Sequence, residues 1–166
     1  MLIVVGEIIQ HPTTSDSDLL DPDQQQAWRH YLLGSMMLNR LIDRELKEHH
    51  DLTTDDYAIL VTLAEATDCR LRFGELAAQT RFPKAHITYR FQRLAQRGLL
   101  EREDCETDAR GAYAVLTERG LEMVAIARPT LDTSVSTHLF EHLSTAQART
   151  LGELMERVLD AHEEAL

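Results

Sequence analysis

The stretch RFGELAAQTRFPKAHITYRFQRLAQRGLLER, residues 72–102, decides how the chain is read. Its first part, FGELAAQT, has the composition of a short helix. The second opens on Pro83, which suits a first helical turn, and closes on Gly98, which suits a helix end. Two short helices joined by a tight turn make a helix-turn-helix unit. At about 100° per residue, Ile87, Phe91 and Leu94 share one narrow arc and are expected to face the core. The opposite arc holds Ala85, His86, Tyr89, Gln92, Arg93 and Gln96, hydrogen-bonding groups and an aromatic with no apolar stripe. Lys84, Thr88, Arg90 and Arg97 flank that arc, where phosphates run beside a groove read by a helix. Arg81, Lys84, Arg90, Arg93 and Arg97 face no Asp or Glu between positions 81 and 97, so a focused basic patch is expected.

Working downstream, LLERE and AYAVLT have strand character on either side of the polar loop 104–111, which predicts a hairpin wing. Past Gly120 come two amphipathic helical patterns, the first interrupted near Pro129 and the second N-capped by Ser144. Upstream, LTTDDYAILVTLAEA starts a helix with Thr53 as N-cap and Asp56 at the capping-box position; it stops in the polar TDCR. Before it, residues 24–48 carry apolar side chains at helical spacing over about six turns. Residues 1–23 read as a flexible lead-in: HPTTSDSDLLDPD favours local turns over helix, and the apolar opening MLIVVGEIIQ lacks the features of a targeting signal or a membrane span. The predicted organisation is a helix-turn-helix with its wing over 51–120, bracketed by packing helices over 24–50 and 121–166.

A chain of 166 residues with 43% hydrophobic content is long enough for one core. The formal net charge of -11 counts against a nucleic-acid partner until the charges are mapped locally, and the run from 81 to 97 answers that objection. Lys47 and Lys84 are the only lysines among 17 basic residues, so arginine, which binds phosphate bidentately, carries most of the positive charge. Cys69 and Cys105 have no C-x-x-C spacing, which points to a reducing, cytoplasmic setting. None of the 7 glycines forms a phosphate-cradling loop, and no nucleophile-base constellation is present, so catalysis is not expected.

The chain resembles the MarR family of bacterial transcriptional regulators. The residues that carry the resemblance are LTTDDYAILVTL, the helix-turn-helix stretch quoted above and DARGAYAVLTERG, with the wing's Asp-x-Arg followed by Leu-Thr-x-x-Gly as the most specific element. The resemblance spans about residues 24–159. It implies a mainly α fold with a small β-hairpin wing, a winged helix-turn-helix plus N- and C-terminal dimerisation helices. It also implies a homodimer that binds a palindromic promoter site on double-stranded DNA. By the same resemblance Arg110 enters the minor groove and Asp108 orients it. Three departures stand out. Pro83 occupies a position often held by Ser or Thr, Arg90 one usually aliphatic, and Ala109 one commonly Arg. Glu101, Glu103, Asp104 and Glu106 make the wing acidic.

Family relatives commonly release DNA when a small anionic or aromatic compound binds or a cysteine is oxidised. Trp28, His30, Tyr31, Met36 and Tyr57 are candidates for an effector pocket, against the alternative that they form an ordinary core stripe. Cys69, beside Arg70 and Arg72, and Cys105, beside Asp104 and Glu106, are the redox candidates, against the alternative of inert apolar fillers. His138 and His142 lie four apart and His49 and His50 adjoin, but such pairs are usually solvated, and no metal or cofactor is expected. The competing class is a winged-helix protein-interaction module that does not bind DNA.

Overall fold

The computed structural model describes residues 19–104 and 111–162. Among these residues six α-helices and three strands follow in order: α1 (Pro22–His50), α2 (Thr54–Glu65), β1 (Arg70–Arg72), α3 (Phe73–Thr80), α4 (Lys84–Gln96), β2 (Leu100–Asp104), β3 (Ala112–Leu116), α5 (Glu118–His138) and α6 (Thr145–Asp160). The chain divides into two compact units, residues 1–36 and 37–166, with the boundary inside α1.

In the first unit Asp21 caps α1: its Oδ1 accepts from the Gln24 amide at 2.8 Å, and Gln24 Oε1 accepts from the Asp21 amide at 3.0 Å. The helix then carries Trp28, Tyr31, Leu32, Leu33 and Met36, all exposed, with the Trp28 and Tyr31 rings 5.9 Å apart.

The second unit holds the core. Leu46, Leu52, Ile59, Leu60, Leu63, Leu76, Leu94 and Leu99 are fully buried, joined by Ile87 and Phe91 from α4 as their spacing predicts. α2 starts with the expected capping box, in which Thr53 Oγ1 accepts from the Asp56 amide at 3.2 Å and Asp56 Oδ2 from the Thr53 amide at 2.9 Å. α3 ends on Arg81 in the left-handed conformation (φ 57°), which swings the chain through Phe82 and Pro83 into α4. Gly98, at φ +70°, ends that helix and turns the chain into β2, a conformation most readily taken by glycine.

The sheet has the order β1-β3-β2, antiparallel throughout. The β2–β3 hairpin is the predicted wing, and β1 is an additional strand. Its register sets Arg72 against Tyr113 and Leu71 against Ala114. Arg70 and Arg72 lie over the Tyr113 ring at 5.0 and 5.5 Å, and Arg70 Nη1 reaches Glu103 Oε1 at 2.8 Å. Three residues with one apolar side chain give no strand signal in sequence; pairing with β3 and the cation–π contacts supply what local propensity does not. The predicted break at Pro129 is also corrected, because α5 runs continuously through it. Ala127 and Ser134 are buried, and Val124, Leu131 and Val135 pack against the core, so tertiary contact holds the helix across the missing amide.

Two contacts join α5 to the last turns of α1. His138 Nε2 lies 2.7 Å from Glu45 Oε1, and His50 Nε2 2.8 Å from Thr130 Oγ1. α6, capped by Ser144 with Gln147, has no buried residue, and Leu154, Val158 and Leu159 are exposed. Residues 1–18, most of the predicted lead-in, and 105–110, the wing loop, lie outside the described residues.

The junction of β3 and α5 explains the Leu-Thr-x-x-Gly signature. Leu116 is in the core, while Thr117 Oγ1 accepts from the Gly120 amide at 3.0 Å and donates to Gly98 O at 2.8 Å. A Cβ on Gly120 would lie 2.3 Å from Leu99 O and 2.5 Å from Leu116 Cδ1. Gly120→Ala is therefore expected to destabilise by roughly 1–3 kcal/mol through overpacking. Gly152→Ala, in α6 with nothing within 4 Å, should be neutral or stabilise by up to about 1 kcal/mol; urea denaturation of both variants checks the contrast. The hydrogen bond from His138 holds the Glu45 carboxyl below its ordinary value of 4.5. Its contribution to stability is thus present above about pH 4.5 and lost as pH falls through the lowered native value. Glu45→Gln should flatten that part of an acid-unfolding profile and leave the neutral-pH slope unchanged.

Candidate nucleic-acid interface

Three faces divide α4. Ile87, Phe91 and Leu94 are buried. A second face is tied to the junction of α1 and α2. Arg90 Nη1 donates to Thr53 Oγ1 at 3.0 Å and to Asp56 Oδ1 at 3.3 Å, and its Nη2 to Asp55 Oδ2 at 3.0 Å. Arg93 Nη1 lies 3.3 Å from Asp56 Oδ2 and its Nη2 donates to Asp51 O at 3.0 Å. Arg97 donates to Asp51 O at 2.6 Å and His50 O at 2.9 Å. His86 Nε2 is 3.0 Å from Asp55 Oδ2.

The local chemistry explains this arrangement. Asp55 and Asp56 sit in the first turn of α2, where carboxylates suit the positive end of the helix dipole, and the last carbonyls of α1 attract cations. Arg93 and Arg97 take those carbonyls, and Arg90 and Arg93 take the carboxylates. Asp56 is fully buried yet fully partnered, accepting from both arginines and the Thr53 amide. Asp51 is held below the ordinary carboxylate range by its hydrogen bond from Lys47.

The expected basic patch is accordingly corrected. Arg90, Arg93 and Arg97 are half-buried and committed to protein partners, because acids distant in sequence face them. The departure at Arg90 was the available signal: an arginine at a usually aliphatic position needs an acid, and the Asp55-Asp56 pair supplies it. What remains on the third face is Lys84, Ala85, Thr88, Tyr89, Gln92 and Gln96, all exposed and adjacent around the helix.

Beside that face runs a groove of about 880 Å3, lined by Arg72, Phe73, Gly74 and Glu75 at the start of α3, by Lys84, Thr88, Phe91 and Gln92 of α4, and by Arg102, Gly111 and Ala112 of the wing. Arg72 and Arg102 were not singled out in sequence, because neither lies on the recognition helix; the β1–β3 pairing brings Arg72 to the groove. Arg102 Nε is 3.2 Å from Asp104 Oδ1, and both are largely exposed.

Asp108, Arg110 and Cys105 lie outside the described residues. Trp28, His30, Tyr31 and Met36 are exposed on the part of α1 in the first unit. Tyr57 is a core residue of the second: burial raises its phenol pKa, and the Arg128 guanidinium beside its hydroxyl works in the opposite direction. Cys69, half-buried with a left-handed backbone (φ 53°), packs against the core. Among the described residues no helix is long and apolar enough to cross a membrane.

A helix with a polar outer face, a tight turn before it and a β-hairpin after it define a winged helix-turn-helix protein. The MarR family model matches residues 50–111. Sco3205, a MarR family transcriptional regulator from Streptomyces coelicolor solved in complex with DNA, is 32% identical over 86% of this chain and 92% of that chain, with a TM-score of 0.81. AbsC, a MarR family transcriptional regulator from the same organism, is also 32% identical, over 86% and 95%, with a TM-score of 0.77. A MarR variant from E. coli complexed with operator DNA shares the fold at 21% identity over 84% and 99%, TM-score 0.73. A comparison with the curated proteins found no match. The chain belongs to the MarR family; it is a transcriptional regulator, not an enzyme.

Asp56→Ala leaves two arginines facing an empty site and removes half of the α2 capping box. It is expected to cost about 3–5 kcal/mol. Asp55→Ala, with its carboxylate 38% exposed, should cost no more than about 1 kcal/mol. Denaturant midpoints of the two variants make the comparison.

Proposed function

We propose that this protein is a homodimeric repressor that binds a palindromic site in promoter DNA, in the cytoplasm, and releases it when a small aromatic or anionic compound binds. The observation that carries the reading is the exposed polar face of α4, held rigidly by the arginine–aspartate network beside a groove edged by Arg72, Lys84 and Arg102. Neutral hydrogen-bonding side chains on the helix suit base edges, and cations at its margin suit phosphates. Arg110, with Asp108 orienting it, enters the proposal through the family resemblance as a minor-groove contact. The relative solved with DNA supports the partner class.

Dimerisation is supported by apolar side chains that each segment leaves exposed: Leu32, Leu33 and Met36 on α1, and Leu154, Val158 and Leu159 on α6. A two-fold axis would present two copies of α4 to the two halves of a palindrome. For the effector, the exposed rings of Trp28 and Tyr31, 5.9 Å apart, offer an aromatic compound a contact surface. Blocking a promoter by occupying it is the simplest action for a dimer bound to a palindromic site.

One observation favours the interaction-module reading. The two arginines of α4 and the Arg97 that caps it are neutralised internally, while Glu101, Glu103 and Asp104 are exposed on the wing. Salt dependence separates the two. With Arg72, Lys84 and Arg102 contributing from each of two protomers, operator affinity should fall on the order of a thousandfold between about 50 and 200 mM salt. Lys84→Ala should lower the slope of log affinity against log salt by about two per dimer, and Arg110→Ala should weaken binding. Footprinting on the protein's own upstream region supplies the duplex; affinity independent of salt, or no protected region, contradicts the proposal.

A further inference from the structure

We infer that α4 reads its half-site through neutral side chains, with Gln92 and Gln96 each bonded to the adenine of an A·T pair in the major groove. Arg90 and Arg93 hold the helix in place without touching bases. The inference rests on the reading of this chain as a DNA-binding regulator and assigns the bases that reading leaves open.

Guanine is read in the major groove chiefly by a free arginine or lysine, whose donors match the two acceptors O6 and N7. α4 and its C-cap carry three arginines, and all are committed. Arg90 is bonded to Thr53, Asp55 and Asp56 and its side chain is only 16% exposed. Arg93 holds Asp56 and Asp51 O, and Arg97 holds two carbonyls at the end of α1. Freeing Arg90 or Arg93 for a base leaves the fully buried Asp56 carboxylate short of a partner, a penalty larger than one base contact returns. Lys84 is the exposed cation of this helix, and it stands at the first position, in the groove with Arg72 and Arg102, where a phosphate rather than a base edge is the fitting partner.

The remaining exposed groups fit A·T pairs. Gln92 and Gln96 hold no hydrogen bond among the described residues, and each carboxamide presents a donor and an acceptor side by side. Adenine presents the complement, N7 as acceptor and the N6 amino group as donor. Thr88 Oγ1 donates to Lys84 O at 3.0 Å, so its hydroxyl proton is spent and its methyl group is left as a partner for a thymine methyl. Gln92 and Gln96 are one turn apart, a rise of about 6 Å. Base pairs stack at about 3.4 Å per step, so the two glutamines reach pairs about two steps apart when the helix lies along the groove.

The test is selection of duplexes by the full-length protein from a randomised pool, followed by affinity measurements on the selected duplex. The expected site carries, in each half, two A·T pairs about two steps apart. Gln92→Ala and Gln96→Ala should each lose about tenfold in affinity and flatten the preference at one of those positions only. Replacing the adenine with 7-deazaadenine removes N7 from the major groove alone; it should cost the wild type about tenfold and the matching glutamine variant nothing further. Arg93→Lys should keep the selected bases. Selection of G·C pairs at both positions, loss of a guanine preference in Arg93→Lys, or glutamine variants with unchanged base preference overturns this inference while leaving DNA binding intact. A pool from which no duplex is enriched overturns the regulator reading and this inference together.

Discussion

The carboxylate of Asp56 is the point on which the structure turns. It is fully buried, and a buried charge is tolerated only when its lone pairs are occupied. The Thr53 amide, Arg90 and Arg93 occupy them, so one side chain caps α2 and anchors α4. With α4 fixed at that anchor and by the burial of Ile87, Phe91 and Leu94, the helix has one rotational setting. Its outward face, from Lys84 to Gln96, is whatever those two constraints leave over. The site is thus a consequence of packing and ion pairing behind it.

The same network changes what the chain's charge means. A net charge of -11 and a run of cations on one helix look contradictory in sequence. In the fold the arginines of α4 and the aspartates of the α1–α2 junction pair with each other, and the cations that line the groove beside the outer face of α4 come from three separate elements: Arg72 in β1, Lys84 in α4 and Arg102 in β2. β1 matters for that reason. Three residues long, it adds to the wing's sheet by pairing with β3, and cation–π contact with Tyr113 holds its arginines on one side of the sheet. Charge arranged at the rim with neutral groups on the helix favours orientation by phosphates and discrimination by hydrogen bonds.

Much of the fold was legible because it is written in local signals. The Thr53–Asp56 and Ser144–Gln147 capping boxes, Pro83 before α4 and Gly98 after it, and the alternation through β3 each need only a few neighbouring residues to be recognised. The Leu-Thr-x-x-Gly signature was legible as a pattern, and its reason emerged only in three dimensions, where Gly120 passes against Leu99 O. What sequence could not convey was long-range. β1 exists through β3, more than forty residues on, and α5 continues past Pro129 because both halves are packed. On α4 the helical wheel sorted the core residues correctly and placed Thr88, Tyr89 and Gln92 on an exposed face. It could not foresee that His86, Arg90, Arg93 and Arg97 turn toward acids and carbonyls thirty to forty-seven positions earlier.

A single spectroscopic experiment addresses the division of α4 into an anchored face and a reading face: side-chain NMR of the full-length protein, titrated with its footprinted duplex. In the free protein the Arg90 and Arg93 guanidinium protons should exchange slowly, as bonded and half-buried donors do, and they should keep their shifts when DNA is added. The Gln92 and Gln96 side-chain amides should instead move and broaden on binding. Arginine signals that are averaged in the free protein, or that shift with DNA while the glutamine amides stay unmoved, would contradict the anchoring of α4 by Asp56 and the reading face it creates.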